Sequence, residues 1–149
     1  MFLFMILYLT WVIVMEEIWL DLYYKAKEAL NSKELSPFIT LGTNACAIRT
    51  VNGNIYTGIN IDTSSNLNSC AERSAVTNMI NHGEKEIDKI VIVNELEEVI
   101  KPCKKCLSYL LELSSNGMDI EILIDIAPIK INKLYKQLPN WWGTLRIKK

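Results

Sequence analysis

The sequence predicts an α/β domain in which helices pack on a mixed β-sheet. Three observations predict it. Apolar residues recur at helical spacing over residues 18–30 and again in the seventies. An Asn52-Gly53 pair separates two runs that read as strands. KIVIVN, residues 89–94, is a continuous β-branched run, as expected of a buried strand. The chain has 149 residues, half of them hydrophobic, which suits one domain with a sizeable core.

The chain opens on MFLFMILYLTWVIVM, without charge until Glu16 and Glu17. A spanning helix needs about 20 apolar residues. A secretory signal has a positive start and a small-residue cleavage site, and neither is visible. Three readings stay open: a start placed upstream of a true first residue at Met15, a membrane anchor that draws in residues 18–20, or a packed helix extension. Residues 1–15 are therefore set apart as an apolar N-terminal extension, and residues 16–149 form the expected domain.

From Glu16, the positions Ile18, Trp19, Leu22, Tyr23, Ala26, Ala29 and Leu30 line one side of a helix that should end near Asn31, before a loop containing Pro37. Two antiparallel strands follow within NACAIRTVNGNIYTGIN, residues 44–60. Asn-Gly suits a tight type I′ turn, which needs positive φ at both central residues. After the polar DTSSNLNS, a helix should start near Cys70, with Ala71, Ala75, Val76, Met79 and Ile80 on one face. Ser69 can cap it and Gly83 can end it. Beyond the strand at 89–94, a second helix starts at Pro102 or Cys103, carries Leu107, Leu110 and Leu111, and ends by Gly117. DIEILIDI, residues 119–126, is another strand. A short strand at IKI and a brief helix near NKLYKQL finish the domain.

The formal net charge is −1, with no basic excess to meet a phosphate backbone. That argues against nucleic-acid polymers and is compatible with a free small molecule. The four cysteines, Cys46, Cys70, Cys103 and Cys106, fit metal or redox use in a reducing cytosol better than disulfides in a chain this core-rich.

Two motifs carry chemistry. SCAERSAV, residues 69–76, puts Glu72 two positions after Cys70, and KPCKKC, residues 101–106, spaces Cys103 and Cys106 as C-x-x-C. Both lie at helix starts, where the positive end favours thiolate over thiol. Three thiolates suit Zn²⁺ and leave one of four tetrahedral positions open for water. Glu72 need not bind the metal and can move protons for that water. Other readings stay open. C-x-x-C could be a redox pair, which leaves Cys70 and Glu72 unexplained. A closed structural site could recruit Cys46, although Cys46 sits in an apolar strand pattern where cysteine is usually core. Arg73 could be an ordinary surface arginine, and the Trp141-Trp142 pair could be interface core. His82, the only histidine, is explained by its place at a helix end.

An acid beside one zinc ligand, paired with P-C-x-x-C, is the general signature of zinc deaminases, so the match is a resemblance and not a deduction from spacing. The chain is similar to the cytidine deaminases of free-nucleoside metabolism. CAER and PCKKC look like that family's C-A-E-R and P-C-x-x-C. TGINID, residues 57–62, is similar to its G-x-N-x-E, and QLPNWW, residues 137–142, resembles its L-P-x-x-aromatic tail. The likeness runs from about Glu16 to Gly143.

The resemblance implies a three-layer α/β/α domain with a mixed five-stranded sheet. It implies hydrolytic deamination of cytidine or deoxycytidine to uridine or deoxyuridine, with release of ammonia. Cys70, Cys103 and Cys106 would hold Zn²⁺, and Glu72 would be the catalytic proton shuttle. The backbone of Ala71 would touch the base, Asn60 and Asp62 would hold ribose hydroxyls, and Arg73 would hydrogen-bond the metal thiolates. Trp141 or Trp142 would close the pocket, in this family often a neighbouring subunit's. The implied partner is a small cytosine nucleoside, and the implied assembly a homotetramer or homodimer. The expected location is the cytoplasm, with a membrane only if residues 1–15 are an anchor.

Some positions depart from the pattern. Asp62 replaces glutamate, Thr63 stands where asparagine is usual, Leu107-Ser108 replaces Arg-Gln, and the loop from Asn60 to Cys70 is shorter. Blasticidin S deaminases, a related branch, have a shorter loop still. The alternatives are therefore deamination of blasticidin S or another modified cytosine nucleoside, or a non-catalytic zinc-binding module on the same fold.

Overall fold

The computed structural model describes residues 1–113 and 116–147. One helix, α1 (Phe2–Ala29), runs from the N-terminal extension into the domain without a break. From Glu16 onward it has a single buried stripe of Trp19, Leu22, Tyr23 and Ala26. Over residues 1–11 it is exposed on every side, and Val12 and Met15 are half-buried. Residue 15 thus marks a change of surroundings inside one helix, not a change of secondary structure.

The expected loop around Pro37 folds back on itself. β1 (Lys33–Ser36) pairs antiparallel with the first residues of β2 (Ile39–Thr50), giving six strands where five were expected. KELS has one apolar residue, the exposed Leu35, among three polar ones, so no apolar alternation marks it as a strand.

β2 and β3 (Ile55–Thr63) form the expected hairpin, with a longer turn than expected. Thr50 N–H donates to Asn54 O at 2.8 Å, and Gly53 N–H returns to Thr50 O at 2.9 Å. Within this loop only Gly53 has positive φ, 86°. A three-residue loop needs just one left-handed residue, and glycine takes it without Cβ strain.

β4 (Ile87–Asn94), β5 (Glu121–Ile126) and β6 (Ile129–Lys133) complete the sheet. The order is β1-β2-β4-β5-β6, with β3 paired to the other edge of β2. Among the described residues only β4 and β5 are parallel, and α3 (Lys104–Glu112) crosses between them. α2 (Ala71–Asn81) connects β3 to β4. Residues 117–119 and 134–137 are 3₁₀ turns, the first displacing the start of the expected strand at 119 and the second standing where a brief helix was expected. α4 (Thr144–Ile147) closes the described chain.

Alternation along the strands divides the core. Ala45, Ala47, Val91, Val93 and Leu123 pack with α1. Cys46, Ile48, Ile90, Ile92 and Ile122 pack with α2 and α3. The architecture is therefore three-layered, α/β/α, with the two cysteine-bearing helices on the same face of the sheet.

Candidate active site

Cys70 is the N-cap of α2 and Cys103 the N-cap of α3, both with extended backbone, and Cys106 follows in the first turn of α3. Ser69, expected as the cap, instead pairs with Ile61 of β3 through backbone bonds of 2.9 and 2.8 Å. That pairing holds residue 69 in the sheet and makes Cys70 the last residue before the helix. Pro102 likewise precedes the N-cap and is not the first helical residue. Ile80, expected on the buried face of α2, is exposed, since Ala71, Ala75, Val76 and Met79 already fill that face.

The sulfurs of Cys70, Cys103 and Cys106 all lie within 4.8 Å of one another. Tetrahedral zinc with bonds of about 2.3 Å sets sulfurs roughly 3.8 Å apart, so the three fit one ion after a small contraction. Cys46 is not in this group; it is fully buried in β2, opposite Gly58 and Ile92. Among the described residues the cluster thus offers three thiols, the donor set of an open zinc site.

Local electrostatics differ across the cluster. Burial works against the Cys103 thiolate, but the backbone N–H groups of Cys106 and Lys105 and the Cys106 side chain outweigh it and lower the pKa. Cys106 is pushed up by burial and then by the Glu72 charge. Cys46 is pushed well up, chiefly by burial, as befits an inert core thiol. Glu72 is 6% exposed. Burial raises its carboxyl pKa, while its backbone hydrogen bond and the Arg73 charge oppose the rise. A carboxyl shifted upward in this way holds a proton more readily than a free one, as a proton carrier must.

A cavity of about 300 Å³ opens beside Glu72. Cys70, Ala71 and Glu72 line one side of it, and Asn60, Asp62 and Thr43 another. Both N–H donors of the Asn60 amide are used, on Thr43 Oγ1 and Asp62 Oδ2 at 2.9 Å each, while its oxygen accepts from Asn44 N–H at 2.8 Å and keeps a second acceptor position. Thr43, Asn44, Asn68 and Lys101 also line the cavity. Sequence reasoning did not single them out; the one signal was a polar Thr-Asn step at the head of an apolar strand.

Other expected site residues lie apart from this cavity. Arg73 donates to Asn68 O at 2.8 Å and, with Lys105 and Tyr109, lines a second cavity of about 630 Å³ on another side of the thiols. Trp141 is buried in the core and donates from Nε1 to Ser108 Oγ at 3.1 Å. Trp142 is 53% exposed. Neither tryptophan lines the cavity beside Glu72.

The family model for the cytidine and deoxycytidylate deaminase zinc-binding region matches residues 21–118, a span that holds all three clustered cysteines and Glu72. The chain belongs to the cytidine and deoxycytidylate deaminases. It is 40% identical to a probable cytidine deaminase of Dictyostelium discoideum over 62 residues, 40% of this chain and 42% of that protein. It is 33% identical to the cytidine deaminase of Mycoplasma genitalium over 97 residues, 64% of this chain and 73% of that one. The crystal structure of cytidine deaminase from Mycobacterium tuberculosis matches with a TM-score of 0.70 at 25% identity, covering 84% of this chain and 97% of that one. A Bacillus anthracis cytidine deaminase structure, at 22% identity and a TM-score of 0.65 over 90% of this chain and 94% of that one, shares the fold. This deaminase is accordingly a zinc-dependent hydrolase, and its thiol cluster can hold the ion.

The deaminase's departures from its family pattern have local causes. Leu107 is a core residue at 4% exposure, and Ser108 accepts the Trp141 indole N–H. Thr63 shapes the loop before Cys70: its N–H donates to Asn68 Oδ1 at 2.7 Å, and its Oγ1 accepts from Leu67 N–H at 2.9 Å.

Proposed function

We propose that the chain deaminates a cytosine nucleoside, cytidine or deoxycytidine, by hydrolysis. The observation that carries this reading is a buried acid, Glu72, directly after a three-thiol cluster and lining a nucleoside-sized cavity. Zinc held by Cys70, Cys103 and Cys106 would supply the Lewis acidity that makes water a nucleophile near neutral pH. Glu72 takes a proton from that water and gives one to N3 of the base. The C4–oxygen bond forms as N3 is protonated; Glu72 then takes the remaining proton from the new C4 hydroxyl and gives it to the amine as the C4–nitrogen bond breaks, so ammonia leaves and a C4 carbonyl remains. The backbone of Ala71 contacts the base, and Asn60 with Asp62 receives the ribose hydroxyls. Their mutual hydrogen bond fixes both side chains before substrate arrives. Arg73 offsets the net negative charge of three thiolates and Zn²⁺.

The assembly in this proposal is a homodimer or homotetramer, supported by the exposed Trp142 and Leu145 on the surface beside α3 and α4. The proposed location is the cytoplasm, supported by four free cysteines, which suit a reducing compartment. The test follows ammonia release by zinc-loaded full-length protein from cytidine, deoxycytidine and blasticidin S in parallel, with Glu72→Ala as the blank. Turnover of either simple nucleoside supports the proposal. Turnover of blasticidin S alone reassigns the chain to antibiotic inactivation. Zinc without turnover on all three leaves a non-catalytic zinc module.

A further inference from the structure

We infer that residues 1–15 insert into a lipid bilayer and tether the deaminase domain to it. The first half of α1 carries Phe2, Phe4, Leu7, Tyr8, Trp11 and Ile13, each more than half exposed, and it packs against nothing over its first ten residues. A groove-binding or core-packing helix is apolar on one stripe, whereas a helix apolar all round belongs in a continuous apolar medium. The contrast lies within α1 itself: the stripe of Trp19, Leu22, Tyr23 and Ala26 begins only after Glu16 and Glu17.

A second copy of the chain would cover one side of this segment and leave the opposite apolar side in water, so pairing does not remove the exposed surface. Hydrocarbon does. The Thr10 hydroxyl already donates to Leu7 O at 2.9 Å and so enters lipid with its hydrogen bond made. The fourteen helical residues from Phe2 to Met15 rise about 21 Å against a hydrocarbon thickness of roughly 30 Å, a mismatch that local thinning absorbs. Where α1 leaves the extension, Trp11, Val12 and Met15 share a cavity of about 450 Å³ with Lys133 and Lys136. Glu16 and Glu121 line the same cavity and offset the two lysines, so its lining is polar and mixed in charge, and Trp11 is a residue type that settles at the level of the headgroups.

The test floats zinc-loaded full-length protein with phosphatidylcholine vesicles on a density gradient in 1 M salt, alongside Leu7→Lys and Leu9→Lys. Leu7 and Leu9 lie on opposite sides of the helix, are exposed, and touch no core residue. Zinc content reports folding in all three proteins. The expected result is flotation of the full-length protein and an at least tenfold loss in both variants at unchanged zinc content. Protein that stays at the bottom with vesicles present overturns the inference. So does a loss confined to one variant together with a discrete soluble dimer, which would show a one-sided protein contact.

Discussion

The backbones of Gly58 in β3 and Ala75 in α2 touch: a Cβ on Gly58 would lie 2.1 Å from the Ala75 nitrogen. Two further backbone atoms of α2, the Ser74 carbonyl carbon and the Ala71 oxygen, would lie at 2.6 and 2.7 Å. The glycine of TGINID therefore serves close approach and not a turn. α2 can lie this low on the sheet only because position 58 has no side chain, and α2 starts with Cys70 and Glu72.

Gly58→Ala should lift the N-terminal half of α2 and move one ligand and the acid together. Overpacking of this kind costs about 1–3 kcal/mol. Urea unfolding should show that loss, and competition with a chromophoric chelator should show zinc held at least tenfold more weakly. A variant with an unchanged midpoint and unchanged zinc affinity would mean that the contact is slack.

Two cysteine variants separate ligand from core. Cys103→Ala should bring zinc well below one ion per chain and abolish turnover, because two thiols do not complete an open site. Cys46→Ala should keep full zinc and lose about 1 kcal/mol of stability, the effect of a small buried cavity. Elemental analysis of the two purified proteins decides; stoichiometric zinc in Cys103→Ala would break the ligand set.

Most of the framework was legible because its signals are local. Helix α1 from Glu16, the hairpin, the buried run of β4 and the two cysteine motifs each follow from a short stretch of sequence. What escaped depends on contacts between distant residues. β1 is a polar strand made by pairing with Ile39–Leu41, and no pattern within Lys33–Ser36 shows it. Ser69 looked like a cap but is claimed by Ile61, eight residues earlier in the chain. In the site, the thiols and Glu72 stand out by spacing. Asn44 and Thr43 enter through the Asn60 side chain, sixteen and seventeen residues away, which periodicity cannot reveal.

Ser108 joins α3 to the C-terminal tail. Its Oγ accepts from Trp141 Nε1 at 3.1 Å and donates to Glu112 Oε1 at 2.7 Å. Ser108→Ala should leave the buried indole N–H unpaired and cost about 1–3 kcal/mol. Zinc content should not change, since Ser108 touches no thiol. Equal urea midpoints for the two proteins would show that Trp141 finds another acceptor.

Glu84 predicts an acid-sensitive clamp. It follows the end of α2, and its carboxylate accepts from Tyr56 OH at 2.6 Å, Asn52 Nδ2 at 2.9 Å and Asn54 Nδ2 at 3.0 Å, tying the β2–β3 hairpin to that helix end. The Tyr56 bond first, then the other donors, lowers the Glu84 pKa from 4.5 to about 2. The folded state therefore prefers the carboxylate more than the unfolded chain does. Its contribution is complete above pH 4.5 and fades as pH falls toward about 2. The same bond raises the Tyr56 pKa above 10, so the pair also weakens once the phenol ionises in alkali. Glu84→Gln is a neutral mimic of the protonated acid. It should be less stable than the parent protein at pH 7, and the gap should close progressively below pH 4.5. Zinc loss in acid affects both proteins alike and drops out of the difference. Paired urea titrations from pH 8 down to 3 measure it; a gap that stays constant across that range would mean that the carboxylate charge contributes nothing to the clamp.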